Sequence, residues 1–592
     1  MTRSSLSGEF HAIRSEQGKG RPSGASRSVW HKTRLFGQSH WLNSIVGCQD
    51  LFELLEPHFK GGRSDLLVKV HRCKSLARQI KAGYTPEWPT SLTMDLPSRD
   101  VSDALIRCYL GTYESIYRVL HVPTFRTDYE ALWTSNERPS EGFMVPLKLV
   151  LAIGSATYDE NFSLRTSAIR WVYEAQTWLA NPSMKSKLGI QYLQINILAL
   201  LAREVTGIGE QFIWTTVGTL QRTAMYMGLH RDPTRLPKTT PFQAEMKRRL
   251  WNTILELSLR SSFMSGGPPS ISLDDFDTAA PANFDDEQLN QDSPTPTPAE
   301  AFSDTSIAIA LRHTFPLRLK MTKFLNDLRS SNTSEEALRL DAEYKEAYKV
   351  LRQTFQQYNP STGPSPNDFQ LQTIDLILSR HLLALHLPFS SADAQDKTYA
   401  YSRNTVLETA SKLWSVTTTP STTLSHLAIT TSGYFRIAVQ QSSLLLALDA
   451  RARLKEEQSL GPVPLRRDLS ALLEEAKAWH LRTIEAGEPS VRGYLLIYLF
   501  AAHIEGLARG LNGAEMGALL VKRAEEAMDV GISVLEGKLG VQGPSQGDDG
   551  GVGEMGDLGM DTKLFEGWDF LMADGGGFDL GDMNWSSSGI AM

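Results

Sequence analysis

The sequence predicts an all-α protein: a large, irregular multi-helix body between a disordered N-terminal leader and an acidic C-terminal tail. Three observations carry that expectation. From about Pro146 onward apolar residues recur at helical spacing, beginning with Leu147, Val150, Leu151 and Tyr158. Pro and Gly fall between the periodic stretches, as at Asn181-Pro182 and Gly461-Pro462, where they end helices. No run of alternating strands joined by hairpin turns is visible. With 592 residues, 41% of them hydrophobic, the chain can bury a sizeable core, which excludes a wholly disordered chain, a collagen-like fibre and a small disulfide scaffold.

Residues 1–30 are rich in Ser, Gly and Arg and poor in apolar side chains, which reads as a disordered basic leader. Residues 31–85 read as a short helical segment, and residues 86–540 as the helical body. Helical stripes follow at Ile169, Val172 and Tyr173, at Leu193, Ile197, Leu200 and Leu201, and more weakly at Phe212, Thr216 and Leu220. Further periodic segments occupy 244–263, 305–329, 335–357, 369–386, 403–417, 423–449, 467–486, 490–510 and 513–537. Two linkers interrupt them: 278–304, whose Ser293-to-Pro298 stretch alternates with proline and should be an extended, exposed loop, and 356–367. No fixed-period repeat is present.

Charge is concentrated at the ends. Residues 541–592 hold ten acids and one base, whereas residues 1–40 hold seven bases and two acids, so the net charge of −7 belongs to the tail and the body is nearly neutral. Tail residues Phe565, Trp568, Phe570, Leu571, Phe578 and Trp585 alternate with acids among glycines, the composition of an activation segment that a coactivator groove would receive.

Catalytic and metal signatures are missing. There is no His-Glu-x-x-His, no phosphate-binding loop and no Gly-x-Ser-x-Gly elbow. His230-Arg231-Asp232 mimics a kinase tripeptide without its companions and reads as a helix exit; Cys73 reads as a small apolar residue on a basic helix. Three cysteines at 48, 73 and 108 are too far apart for a zinc site or a disulfide framework, so no metal or other cofactor is expected and a reducing compartment is the default. The apolar run Tyr494–Ala502 is far short of the roughly 18–20 residues a membrane span needs, and no secretory signal opens the chain. A soluble, intracellular, non-catalytic protein is expected.

Several stretches resemble the middle homology region of fungal zinc-cluster transcription factors. They are Lys32 to Trp41, with Phe36, Gly37, His40 and Trp41; Tyr117 to Phe125, with His121, Pro123 and Phe125 and with Tyr129 after it; and Ala224 to Pro233, with Gly228, Leu229 and His230. The most diagnostic runs from Arg248, Arg249 and Trp251 through Gly266 and Pro268 to Asp274–Asp277, and Arg380 to Phe389 is similar to a later family helix. Asn252, Ser258 and Gly267 depart from the family pattern. On the helix carrying Leu250, Ile254 and Leu257, Arg248 and Arg249 should point to solvent or to acids such as Asp274 and Asp275.

The resemblance implies a regulatory helical domain, a nuclear location and control of RNA polymerase II transcription. The six cysteines that usually hold two zinc ions in this family are not in this sequence, which either begins too late to include that module or has lost it, so the resemblance does not by itself imply direct sequence-specific DNA binding. The partners implied are transcription coactivators and a DNA-bound transcription factor; homodimerisation is left open. The alternative is a helical small-molecule-binding protein or enzyme that retains the scaffold.

Overall fold

The computed structural model describes residues 10–14, 26–31, 34–59, 65–135, 139–181, 188–236, 239–328, 333–358, 363–390, 399–457 and 467–542. The tail residues 543–592, and with them Phe565, Trp568, Phe570, Leu571, Phe578 and Trp585, lie outside the described residues.

Helices dominate, as the periodicity predicts. After a 3-10 turn at Trp41–Cys48 come α1 (Gln49–Phe59), α2 (Asp65–Tyr84), α3 (Arg99–Tyr109), the short α4 (Ser115–Tyr117), α5 (Val122–Thr134), α6 (Glu141–Gly154), α7 (Arg165–Leu179), α8 (Ile190–Thr206) and α9 (Ile213–Tyr226). The second half holds α10 (Pro241–Ser265), α11 (Ser306–Asn326), α12 (Ser334–Gln357), α13 (Asp368–His386), α14 (Ala400–Thr418), α15 (Thr423–Thr430), α16 (Tyr434–Glu457), α17 (Arg467–Glu485), α18 (Arg492–Ala508) and α19 (Gly513–Gln542).

Local chemistry sets the boundaries. α10 opens with a capping box in which Thr240 Oγ1 accepts from Gln243 N, Pro241 takes the first helical position, and Gly266 at φ 69° closes the helix. α13 opens with the same device, Asn367 and Gln370. α6 and α10 are buried on nearly every face and form the centre, with α3, α7 and α8 packed around α6 and α8, α9 and α11 around α10. One continuous core runs from Val29 to Leu535. An early and a late helix are fastened to each other: α2 lies along α19, with Lys69 to Asp529 at 2.7 Å and Arg72 to Glu536 at 2.9 Å.

Three expectations change. The leader is not disordered throughout: Phe10–Arg14 (β1) and Ser26–His31 (β2) pair antiparallel, and β2 pairs in turn with Arg34–Gly37 (β3). This small meander escapes a search for amphipathic alternation because its strands have only 4 to 6 residues and most of its apolar side chains fall in adjacent pairs, Ala12-Ile13, Val29-Trp30 and Leu35-Phe36, with Val29 fully buried. The 278–304 segment is extended but only partly exposed: Phe284, Asp286 and Leu289 are buried, a 3-10 turn spans Asp286–Asn290, and Asn283 Nδ2 donates to the carbonyls of Pro298 at 2.8 Å and Ala301 at 2.9 Å. Finally, the single segment expected at 423–449 is two helices broken at Thr431–Gly433. A Cβ on Gly433 would stand 2.3 Å from Glu204 Cγ, so the break admits α8's carboxylate, whose Oε1 accepts from Tyr434 N at 3.1 Å and caps α16.

Candidate functional site

A cavity of about 450 Å³ lies where residues 34–42, a strap leading into the body, meet the middle helices and the C-terminal helices. That volume is within the range of sites for drug-sized ligands. The strap supplies Phe36, His40, Trp41 and Leu42; α8 supplies Leu200 and Glu204; the turn before α9 supplies Glu210, and α9 supplies Trp214 and Val217; α10 supplies Leu257, Arg260 and Met264. Opposite them stand Tyr434, Arg436 and Ile437 of α16, His480 of α17, and Tyr494, Ile497 and Phe500 of α18.

The strap is held by backbone fit. Gly37 N donates to Gly266 O at 3.1 Å, and a Cβ on Gly37 would stand 2.1 Å from that oxygen, so only glycine allows this approach. Ser39 Oγ donates to Phe263 O at 2.7 Å, and Asn326 Nδ2 bridges Ser39 Oγ at 2.9 Å and Gly267 O at 3.0 Å. Trp214 closes over the same corner: a Cβ on Gly267 would meet its ring at 2.4 Å.

Two ion pairs are set into the wall. Arg260 pairs with Glu204 and donates to Tyr117 Oη at 2.8 Å, its guanidinium lying over the rings of Tyr117 and Tyr434. Arg436 pairs with Glu488 and donates to Ile429 O at 2.6 Å. Glu210 makes no hydrogen bond or ion pair among the described residues. Burial, reinforced by Glu488 and Glu204, pushes its carboxyl up to about 8. Burial also pushes the imidazoles of His40 and His480 down to about 3, leaving both neutral at pH 7. The buried Tyr434 hydroxyl takes the Arg380 guanidinium as its side-chain hydrogen-bond partner.

A second polar centre lies behind α10. Asp286 ion-pairs with Arg249 at 2.5 Å and Arg118 at 2.6 Å, and accepts from Val122 N at 2.8 Å. His121 Nε2 stands 3.0 Å from Asp286 O, and Arg249 Nε donates to Glu245 at 3.3 Å. Burial alone would raise the Asp286 carboxyl, but Arg118 and Arg249 outweigh it and hold it below the usual range. Arg248 takes Asp232 as its partner, at 2.9 and 3.1 Å.

Residues 107–375 match the family model described as the fungal specific transcription factor domain. The chain belongs to this domain family. It is similar to the transcription factor opdR of Penicillium oxalicum, 34% identical over 530 residues that cover 81% of this chain and 66% of that one. It is also similar to the transcription factor lepE of Aspergillus flavus, 34% identical over 386 residues, 64% of this chain and 46% of that one. The aspyridones cluster regulator apdR of Emericella nidulans is 28% identical over 399 residues, 63% of this chain and 53% of that one. The chain thus spans about half to two thirds of the length of these curated relatives. No solved structure matches it.

Within this fungal transcription factor domain and its flanks, the motif residues fall into two groups. Phe36, His40 and Trp41 line the cavity, and Gly37 meets Gly266 backbone to backbone. His121, Arg248 and Arg249 belong to the buried polar centres, near which Pro123 starts α5 and Phe125 packs in the core. Gly228 at φ 79° ends α9, Leu229 is buried, and His230 lies 6.4 Å from the fully buried Trp251. Pro268 is exposed. The expectation that Asp274 and Asp275 meet the arginine pair is corrected: Asp275 caps the backbone of Ser272 at 2.6 Å, and Arg249, far from facing solvent, is fully buried on Asp286. Gly267, a departure from the family pattern, is explained by the Trp214 ring; Ser258 donates to Gln221 Oε1 at 2.9 Å.

The sequence reading missed Glu204, Glu210, Trp214, Arg260, Tyr434, Arg436, His480 and Glu488. A usable signal existed for two of them, since Glu204 and Arg260 interrupt apolar helix faces, where a charge needs a buried partner.

Proposed function

We propose that the chain regulates RNA polymerase II transcription in the nucleus, with the helical body as regulatory domain and residues 541–592 as an activation tail that engages coactivators. The observation that carries this reading is the match of residues 107–375 to the fungal specific transcription factor domain, set in alignments that cover most of this chain. The name of the aspyridones cluster regulator supports a narrower version, regulation of one cluster. Catalysis is not part of the reading.

Promoter contact through a DNA-bound partner is one form of this reading. Among the described residues no group of three or more His, Cys, Asp or Glu side chains could hold a metal ion, and Cys48 and Cys73 are buried apart from one another. Burial pushes both thiols up. A tagged chain should occupy promoters in chromatin immunoprecipitation, and the 541–592 segment fused to a neutral DNA-binding module should activate a reporter. Loss of that activity on replacing Phe565, Trp568 and Phe570 by Ala supports the tail's role; an inactive fusion rules it out.

A further inference from the structure

We propose that the cavity is a binding site for a small organic amine, its ammonium received by Glu210 and its apolar body laid against Trp41, Trp214 and Tyr434. The inference goes beyond the transcriptional reading and does not depend on it.

Charge placement points to a cation. Three carboxylates stand in the wall, and Glu204 on α8 and Glu488 after α17 both act on Glu210 before α9. The guanidiniums of Arg260 and Arg436 are engaged with Glu204 and Glu488, which leaves Glu210 as the carboxyl without a counter-ion in contact. Arg34 of β3, the other cation acting on Glu210, is exposed and is held over the ring of Phe36 at 4.7 Å. Arg492 at the start of α18 is the remaining charge of the wall. An ammonium beside Glu210 relieves the carboxylate repulsion and keeps Glu210 ionised.

The rest of the wall suits the remainder of such a molecule. Trp41, Trp214 and Tyr434 offer aromatic surface, which attracts both a flat apolar body and an adjacent cation. His40 and His480 stay neutral and add no competing positive charge.

Three probes of one shape test the assignment: tryptamine, 3-ethylindole and indole-3-propionate, titrated calorimetrically into the purified full chain at pH 7.5. Tryptamine should bind saturably and roughly tenfold more tightly than either of the others, the factor expected of one favourable charge contact. Its affinity should rise between pH 6.5 and 8.5, as Glu210 loses its proton near 8. Glu210→Gln should abolish the preference while leaving 3-ethylindole binding unchanged, and Glu210→Asp should retain it. A tighter indole-3-propionate complex, an unchanged tryptamine affinity in Glu210→Gln, or no saturable binding of tryptamine would each overturn the proposal. Because no promoter or reporter enters the measurement, these outcomes leave the transcriptional reading untouched.

Discussion

Replacing Asp286 by Asn tests whether the polar centre behind α10 is a structural keystone. The side chain keeps its shape but loses the charge that faces Arg249 at 2.5 Å and Arg118 at 2.6 Å, both of them buried. Stripping one partner from a buried pair costs about 3–5 kcal/mol, because the remaining charge stays desolvated. Here two guanidiniums are stranded, but neither completely: Arg249 keeps Glu245 at 3.3 Å and Arg118 keeps Asp304 at 3.6 Å. The expected loss is therefore near the lower end, about 3 kcal/mol, in urea unfolding at pH 7 followed by tryptophan fluorescence. Asp304→Asn is the control, since Asp304 is 42% exposed and a partly solvated pair contributes at most about 1 kcal/mol. Folding depresses the Asp286 pKa, so its contribution is present above the ordinary Asp value of about 3.9 and is lost as pH falls below it. Asp286→Asn should accordingly flatten the acid limb of the stability curve. A loss under about 1 kcal/mol, or one no larger than that of Asp304→Asn, would refute the reasoning.

Other outcomes follow from the same physics. Gly37→Ala should destabilise by about 1–3 kcal/mol, the usual cost of overpacking, and limited proteolysis should then cut within residues 34–48. Glu204→Gln, which leaves the Arg260 pair uncompensated and weakens the cap on α16, should cost about 3 kcal/mol and show faster amide exchange at the start of α16. The buried imidazoles of His40, His381 and His480, lowered to about 3, and of His503, lowered to about 4, must take up protons on unfolding below their ordinary value. Stability should thus climb as pH rises from 4.5 to 6.5, with His381→Gln giving a shallower slope in pH-dependent denaturation. Glu114, raised to about 7 chiefly by burial, works in the opposite sense: its share is full below its unfolded value and fades as pH rises through 7.

The helices were legible because their signals are local. Thr240-Pro241 with Gln243, and Asn367 with Gln370, announce α10 and α13 within four residues, and Gly266 announces the end of α10. The cavity was not, because its walls come from residues as far apart as Phe36 and Phe500, and no window of sequence contains both. The break before α16 illustrates the difference. Ser432-Gly433 is a turn signal, but apolar periodicity runs through it on both sides, and the reason for the break is a carboxylate more than two hundred residues away. The motif residues fared in between: Gly37 and Gly266 were singled out separately, and only the structure shows that each is glycine on account of the other.

The strap and the C-terminal helices bear on how this protein can be divided. The family match ends at 375, yet α16, α17 and α18 complete the cavity from one side and residues 34–42 from the other. A gene fragment trimmed to 107–375 would leave half a vessel, its apolar lining opened to water, and should aggregate rather than fold. The same holds for chimaeras that exchange only the matched segment between relatives. The smallest exchangeable unit is the stretch from the strap to α19, so a workable swap must carry the segment leading into the body together with the helix leading out.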